Sequence, residues 1–128
     1  MTVKKPLLDS IVKGIEEGKG EEIVIMDLRN VQASVCDYFV VCHGNSSTQT
    51  ESIARKVVEQ TEKQSDERPW RGEGFTNANW ILLDYVDIVV HVFYKETRAF
   101  YDIEELWADA AVTYIDEKKE TSKKSGTS

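Results

Sequence analysis

The stretch NWILLDYVDIVVHVFY, residues 79–94, carries Asp84, Asp87 and His91 within an otherwise apolar run. Carboxylates and imidazoles move protons, hold metals or pair across interfaces. In apolar surroundings each must be paired, solvated at an edge, or used. Four side chains are of metal-ligating type: Cys36, Cys42, His43 and His91. Cys42 and His43 are neighbours, so a strand points them to opposite faces. Their spacing matches no zinc signature, and the pattern predicts no metal site.

The segment HGNSS, 43–47, lies between an apolar run and a helical pattern. Backbone N–H groups at such a helix start can hold an anion. It contains no Walker pattern and no G-x-G-x-x-G, and a glycine with serines before a helix ordinarily makes a turn and a cap. The turn also resembles the opening of nucleotidyltransferases. That chemistry requires two or three carboxylates converging on magnesium. The helix that follows offers only Glu51 and Glu59, and no Asp-x-Asp pair follows it. Asp84 and Asp87 are three apart, on opposite faces of a straight strand. The catalytic carboxylates are therefore missing, and an enzyme or nucleotide binder using the Gly44–Ser47 turn remains the alternative reading. Ser46, Asp84 and His91 lack the G-x-S-x-G elbow of a nucleophile triad.

The aromatic residues of the last third point to an interface. Phe93, Phe100 and Trp107 are read as core. Trp80, Tyr85 and Tyr101 are interleaved with Asp84, Asp87, His91 and Arg98, the mixture of protein-binding patches. Alternation groups Trp80, Leu82 and Asp84 on one strand face, and Asp87, Val89, His91 and Phe93 on the next. The expected partner-binding set is Trp80, Leu82, Asp84, Tyr85, Asp87, His91, Arg98 and Tyr101. Arg98 and Glu104 could equally pair within the chain and join the last helix to the sheet.

The elements that must position these residues follow from periodicity. Residues 6–17 carry a helical apolar stripe behind Pro6, stopped by Gly18 and Gly20. Strands are expected at 21–28 and 37–43, a helix at about 47–63, and a short strand around Arg71. Residues 80–85 and 87–94 form either a tight hairpin or one long bent strand, since Val86 is a poor turn residue. Thr97 is expected to cap a short turn. Asp102 is expected to cap a helix with Ile103, Leu106, Trp107 and Ala110 on one face. The order predicts an α/β domain with a mixed sheet of about five strands flanked by helices. Residues 1–116 form one domain, and the polar tail 117–128 is expected to be disordered.

Length and charge limit the function. At 128 residues the chain can bury a core unaided. No apolar run is long enough for a membrane span, and the N-terminus lacks a signal-peptide pattern. Cys36 and Cys42 are read as reduced thiols of a cytoplasmic protein; six residues of strand would hold them roughly 20 Å apart. The net charge is −7, and the tail holds four lysines against two glutamates, leaving the remainder at about −9. An acidic body argues against dominant nucleic-acid binding and permits a basic protein partner.

The blocks DYFVVCHGNSSTQTESIA, EG, ANWILLDYVDIVVHVF and RAFYDIEELWADA resemble the Iojap, or ribosomal silencing factor, family. The family pattern is roughly D-x-F-[VI]-[IV]-C-T-G-x-S-x-x-Q, then W-x-L-x-D-x-G-D-x-x-V-H-x-F, then R-x-x-Y-x-L-E-x-L-W. The resemblance covers about residues 7–110. His43 stands where the family usually has threonine and Val86 where it usually has glycine; SDERPWRG, 65–72, reads as a variable loop. The resemblance implies a non-enzymatic translational repressor without a cofactor. It would bind the large ribosomal subunit through its fourteenth protein and block joining of the small subunit when nutrients are short. It further implies a nucleotidyltransferase-like α/β fold without the catalytic carboxylates, and a homodimer in the free state.

Overall fold

The structure, a computed structural model, describes residues 5–32 and 34–115. Residue 116 and the expected disordered tail lie outside the described residues. Helix α1 (Lys5–Glu17) starts with Pro6 in its first turn, where a missing N–H costs nothing. Its inward stripe is Leu7, Ile11 and Ile15, with Gly14 and Gly18 alongside. A Cβ at Gly14 would stand 2.6 Å from the Val57 Cα, and one at Gly18 would stand 2.8 Å from the Ile53 Cα. These two glycines let α1 lie backbone-close against α2 (Ser47–Ser65). Ser46 caps α2 by accepting the Gln49 N–H, the expected use of the Gly-Ser turn.

Among the described residues six strands form one sheet in the order β3-β4-β5-β2-β1-β6. They are β1 (Glu21–Asp27), β2 (Tyr38–Gly44), β3 (Arg71–Glu73), β4 (Trp80–Asp84), β5 (Ile88–Tyr94) and β6 (Ala111–Ile115). Only the β2–β5 pair is parallel, and the chain crosses between them through α2 and the β3–β4 hairpin. The fold class is the expected mixed α/β, with one strand more than the sequence pattern predicted.

The extra strand corrects the reading of the C-terminal segment. Helix α4 (Ile103–Leu106) lasts four residues, and Asp102 makes no side-chain cap. The run Val112–Thr113–Tyr114–Ile115 is β-branched and aromatic, and it pairs with the otherwise open edge of β1. Helix α3 (Lys95–Tyr101) begins two residues before Thr97, which therefore does not cap it.

Residues 84–88 settle the hairpin question. β4 and β5 pair antiparallel, closed by Tyr85 N–H to Ile88 O at 2.8 Å and Asp87 N–H to Tyr85 O at 2.9 Å. Val86 sits between them at φ 77°.

The sheet separates two cores. One side packs Val40, Cys42, Ile81, Leu83, Val90 and Val92 against Ile11, Ile53 and Val57 of the long helices. The other side packs Met26, Phe39, Val41 and Phe93 under Ile103 and Ala110. Cys36 and Cys42 are both buried, on opposite sides of the sheet and not joined to each other. Among the described residues no helix is long and apolar enough to cross a membrane.

Candidate functional site

Cross-strand register assembles the second sheet face row by row. One row runs Tyr114, Val24, Val41, His91, Leu82 and Glu73; the next runs Val112, Met26, Phe39, Val89, Asp84 and Arg71. A third, shorter row holds His43, Phe93 and Trp80. The short α3–α4 segment covers the centre of this face and leaves the β4 end half open. Trp80, Leu82, Asp84 and Val89 are all partly exposed there.

Aromatic rings link the open end to its cover. Trp80 packs on Phe93 at 4.9 Å and on Tyr101 at 4.8 Å between centroids, and Trp107 meets Phe39 edge-on at 5.5 Å. The rim carries Phe100 (80% exposed), Tyr101 (50%) and Leu106 (74%), three large apolar groups facing water. Exposed acids Asp102, Glu105 and Asp109 lie along the same segment. Phe100 and Tyr101 meet edge-on at 5.0 Å, so these two exposed rings adjoin.

Of the eight expected contact residues, the fold brings Trp80, Leu82, Asp84, His91 and Tyr101 to this face. Tyr85 lies on the other side. It is 6% exposed, and its hydroxyl is 2.9 Å from the Thr61 hydroxyl of α2. Burial raises its pKa to about 12. Tyr85 is a core residue, because strand alternation continues through it and places it with Ile81 and Leu83 on the side of the helices. Asp87 is exposed in the turn, and its carbonyl accepts from the N–H groups of Asp37 and Tyr38. Asp84 accepts the Val86 N–H at 2.8 Å and stands 3.9 Å from the Arg71 guanidinium.

Arg98 is not a surface residue either. It is 8% exposed, which corrects any reading of it as an accessible contact. Its Nη1 donates to the Glu22 carbonyl at 2.8 Å and to His43 Nδ1 at 2.9 Å; its Nη2 donates to Glu104 at 2.7 Å. A bulge in β1, with Glu22 at φ 51°, turns that carbonyl to the guanidinium. Arg98 thus ties α3 to β1, β2 and α4, the structural alternative left open by the sequence. Because Arg98 only donates, His43 Nδ1 accepts and its proton sits on Nε2, 3.6 Å from Glu21. Burial, then the Arg98 charge, lowers the His43 pKa.

His91 is 5% exposed, lowered to a pKa of about 4 by burial, and accepts the Trp80 indole N–H at Nδ1, 3.1 Å away. Phe39 presents its ring edge-on at 4.5 Å. His91 is therefore a neutral ring in the floor of the face.

Phe100, expected in the core, is exposed on this rim beside Tyr101. The signal was Arg98. With residue 98 inward, residue 100 lies about 200° around the helix and must face out. At the Gly-Ser turn, the Asn45 N–H donates to the Gln49 side chain at 2.7 Å and the Gln49 N–H to Ser46 at 3.0 Å. These helix-start donors are occupied by the protein itself, so nothing in this geometry favours a phosphate site.

Residues 2–128 match the family described as "Ribosomal silencing factor during starvation". The ribosomal silencing factor RsfS of Bacillus subtilis is 36% identical over 113 residues, covering 88% of this chain and 94% of that protein. The chloroplastic protein Iojap of Zea mays is 32% identical over 102 residues, 79% of this chain and 43% of that longer one. A crystal structure from Bacillus halodurans superposes with a TM-score of 0.71 at 33% identity, covering 88% of this chain and 98% of the other.

Proposed function

The chain belongs to the ribosomal silencing factor family, and from that premise we propose that it represses translation without chemistry, by docking on the large ribosomal subunit and excluding the small one. One observation carries the reading: the open end of the second sheet face, where half-buried Trp80 packs on Tyr101 and Tyr101 on the exposed Phe100. Large rings seated in a half-apolar patch are the usual anchors of protein interfaces.

The occupant is a basic ribosomal protein, by the family resemblance the fourteenth of the large subunit. Asp84, Asp102, Glu105 and Asp109 give the rim a negative sign, and the chain carries −7 overall. Such a surface steers towards a positive partner and away from bare RNA phosphates. Repression then follows from occupied volume. In the free state the same face is open to a second copy, which gives a homodimer that competes with docking. The setting of this function is cytoplasmic, and it requires neither metal nor cofactor.

Co-sedimentation with isolated large subunits tests the docking step. The parent chain is expected in the large-subunit fraction, with Trp80→Ala weakened by about 2 kcal/mol or more. A folded Trp80→Ala chain that binds as well as the parent removes this face from the account. Magnesium-dependent nucleotide binding at millimolar concentration would instead favour the enzyme reading.

A further inference from the structure

Twice within this chain an arginine lies over an aromatic ring and is held there by a carboxylate. Arg55 stands 5.0 Å from the centre of the Phe75 ring, and its Nε and Nη2 donate to Glu51 at 2.9 and 2.7 Å. Arg29 stands 5.2 Å from the centre of the Tyr38 ring and donates to both oxygens of Asp27 at 2.9 and 2.7 Å. A planar, weakly hydrated guanidinium suits both contacts at once, its face on the ring and its edge on the acid.

The rim of the docking face presents the same two partners. Phe100 is 80% exposed and meets Tyr101 edge-on at 5.0 Å; Tyr101 in turn packs on Trp80. Glu96 stands four residues earlier on α3, so the two side chains are neighbours on one helix face, with Cβ atoms about 5–6 Å apart. Glu96 is exposed. Among the described residues no ion pair or hydrogen bond engages its side chain, and no cation lies over Phe100. Arg98 is turned inward to Glu104. The exposed charges of residues 95–109 are therefore Glu96, Asp102, Glu105 and Asp109 against Lys95 alone.

We propose, resting on the docking reading above, that Phe100 and Glu96 form a receptor for an arginine side chain of the docked basic protein. The guanidinium stacks on the open part of the phenyl ring and pairs with the Glu96 carboxylate, as Arg55 does with Phe75 and Glu51. The surrounding acids favour a cation over a neutral group, and the ring favours a flat guanidinium over a compact, strongly hydrated ammonium. The receptor extends the aromatic line from Trp80 through Tyr101 to the edge of the face, and it adds selection for charge to the apolar contact made there.

Binding of isolated large subunits at one fixed salt concentration tests this, using the full-length parent, Phe100→Leu, Phe100→Trp, Glu96→Gln, the Phe100→Leu/Glu96→Gln double variant and Trp80→Ala. Leucine keeps an apolar side chain without a π-face, whereas tryptophan keeps the π-face and strengthens it. Phe100→Leu is expected to bind about fivefold or more weakly, Glu96→Gln about threefold more weakly, and Phe100→Trp within about twofold of the parent or tighter. Because both side chains hold one guanidinium, the double variant should lose less than the product of the two single losses. If Phe100→Leu and Glu96→Gln bind like the parent while Trp80→Ala does not, the arginine receptor falls and the docking reading stands. Equal losses in Phe100→Leu and Phe100→Trp also overturn it, assigning the ring to shape alone. A double loss equal to the product of the single ones overturns it too, assigning the two side chains to separate contacts. Parental binding by every variant, or a parent that stays out of the large-subunit fraction, overturns both readings.

Discussion

The guanidinium of Arg98 donates to the Glu104 carboxylate at 2.7 Å, from a side chain only 9% exposed. This contact fixes α4 to α3, while the other Arg98 nitrogen fixes α3 to the bulge of β1. The exposed rings on these short helices owe their position to one buried cation. Arg98→Ala leaves the Glu22 carbonyl and the Glu104 carboxylate without their donor. We expect a loss of about 2–3 kcal/mol in urea unfolding, with large-subunit binding weakened alongside it. Arg98→Lys should recover only part of the stability, because an ammonium cannot span three acceptors in a plane.

Val86 holds φ 77° inside a three-residue turn, a conformation that a β-branched side chain adopts only under strain. Glycine relieves the strain at some cost in unfolded-state entropy. Val86→Gly is expected to stabilise the protein by about 0.5–1 kcal/mol, read from the shift of the unfolding midpoint.

The buried hydroxyl pair Tyr85–Thr61 gives a test with a pH signature. Tyr85→Phe should cost about 1 kcal/mol near neutral pH and leave ribosome binding unchanged. The folded-state pKa of Tyr85 is raised to about 12 from an ordinary value near 10. Above pH 10 the unfolded chain loses this proton first, so the stability contributed by Tyr85 declines as pH rises from 10 to 12. Two pKa units correspond to about 2.7 kcal/mol, more than the hydroxyl contributes at neutral pH, so the advantage of the parent over Tyr85→Phe should vanish and reverse across that window.

His91 gives the opposite window. Its folded pKa is lowered to about 4, so between pH 6.5 and 4 the unfolded chain takes up a proton that the folded chain refuses. Stability then falls as pH falls through this range, by about 3 kcal/mol in full. His91→Gln should lack this component, which isolates it from the similarly lowered His43.

Much of this was legible in the sequence. Strand alternation put Trp80, Leu82 and Asp84 on one face, and the helix start at Ser46 announced itself by its cap. Two features, β6 and the burial of Arg98, were not legible, for physical reasons. β6 exists because β1 offers an open edge, a tertiary fact that no local pattern records. Tyr85 was legible by the same alternation, which places it with Ile81 and Leu83 on the helix side, opposite Trp80, Leu82 and Asp84; its aromatic ring among acidic neighbours pointed the other way. The pair of Arg98 with Glu104 was one of the two readings the sequence left open, but its burial was not legible, because Glu22 and His43 are distant in sequence and the β1 bulge brings their acceptors to it.

The central claim is that this chain prevents subunit joining by occupying the landing surface. It is tested most directly by mixing isolated large and small ribosomal subunits with increasing amounts of the purified protein and following assembly by light scattering. Assembly should fall to a low plateau as the protein saturates the large subunits, and Trp80→Ala should shift the curve to concentrations roughly thirtyfold higher. Full assembly in the presence of saturating, subunit-bound parent protein would contradict the account.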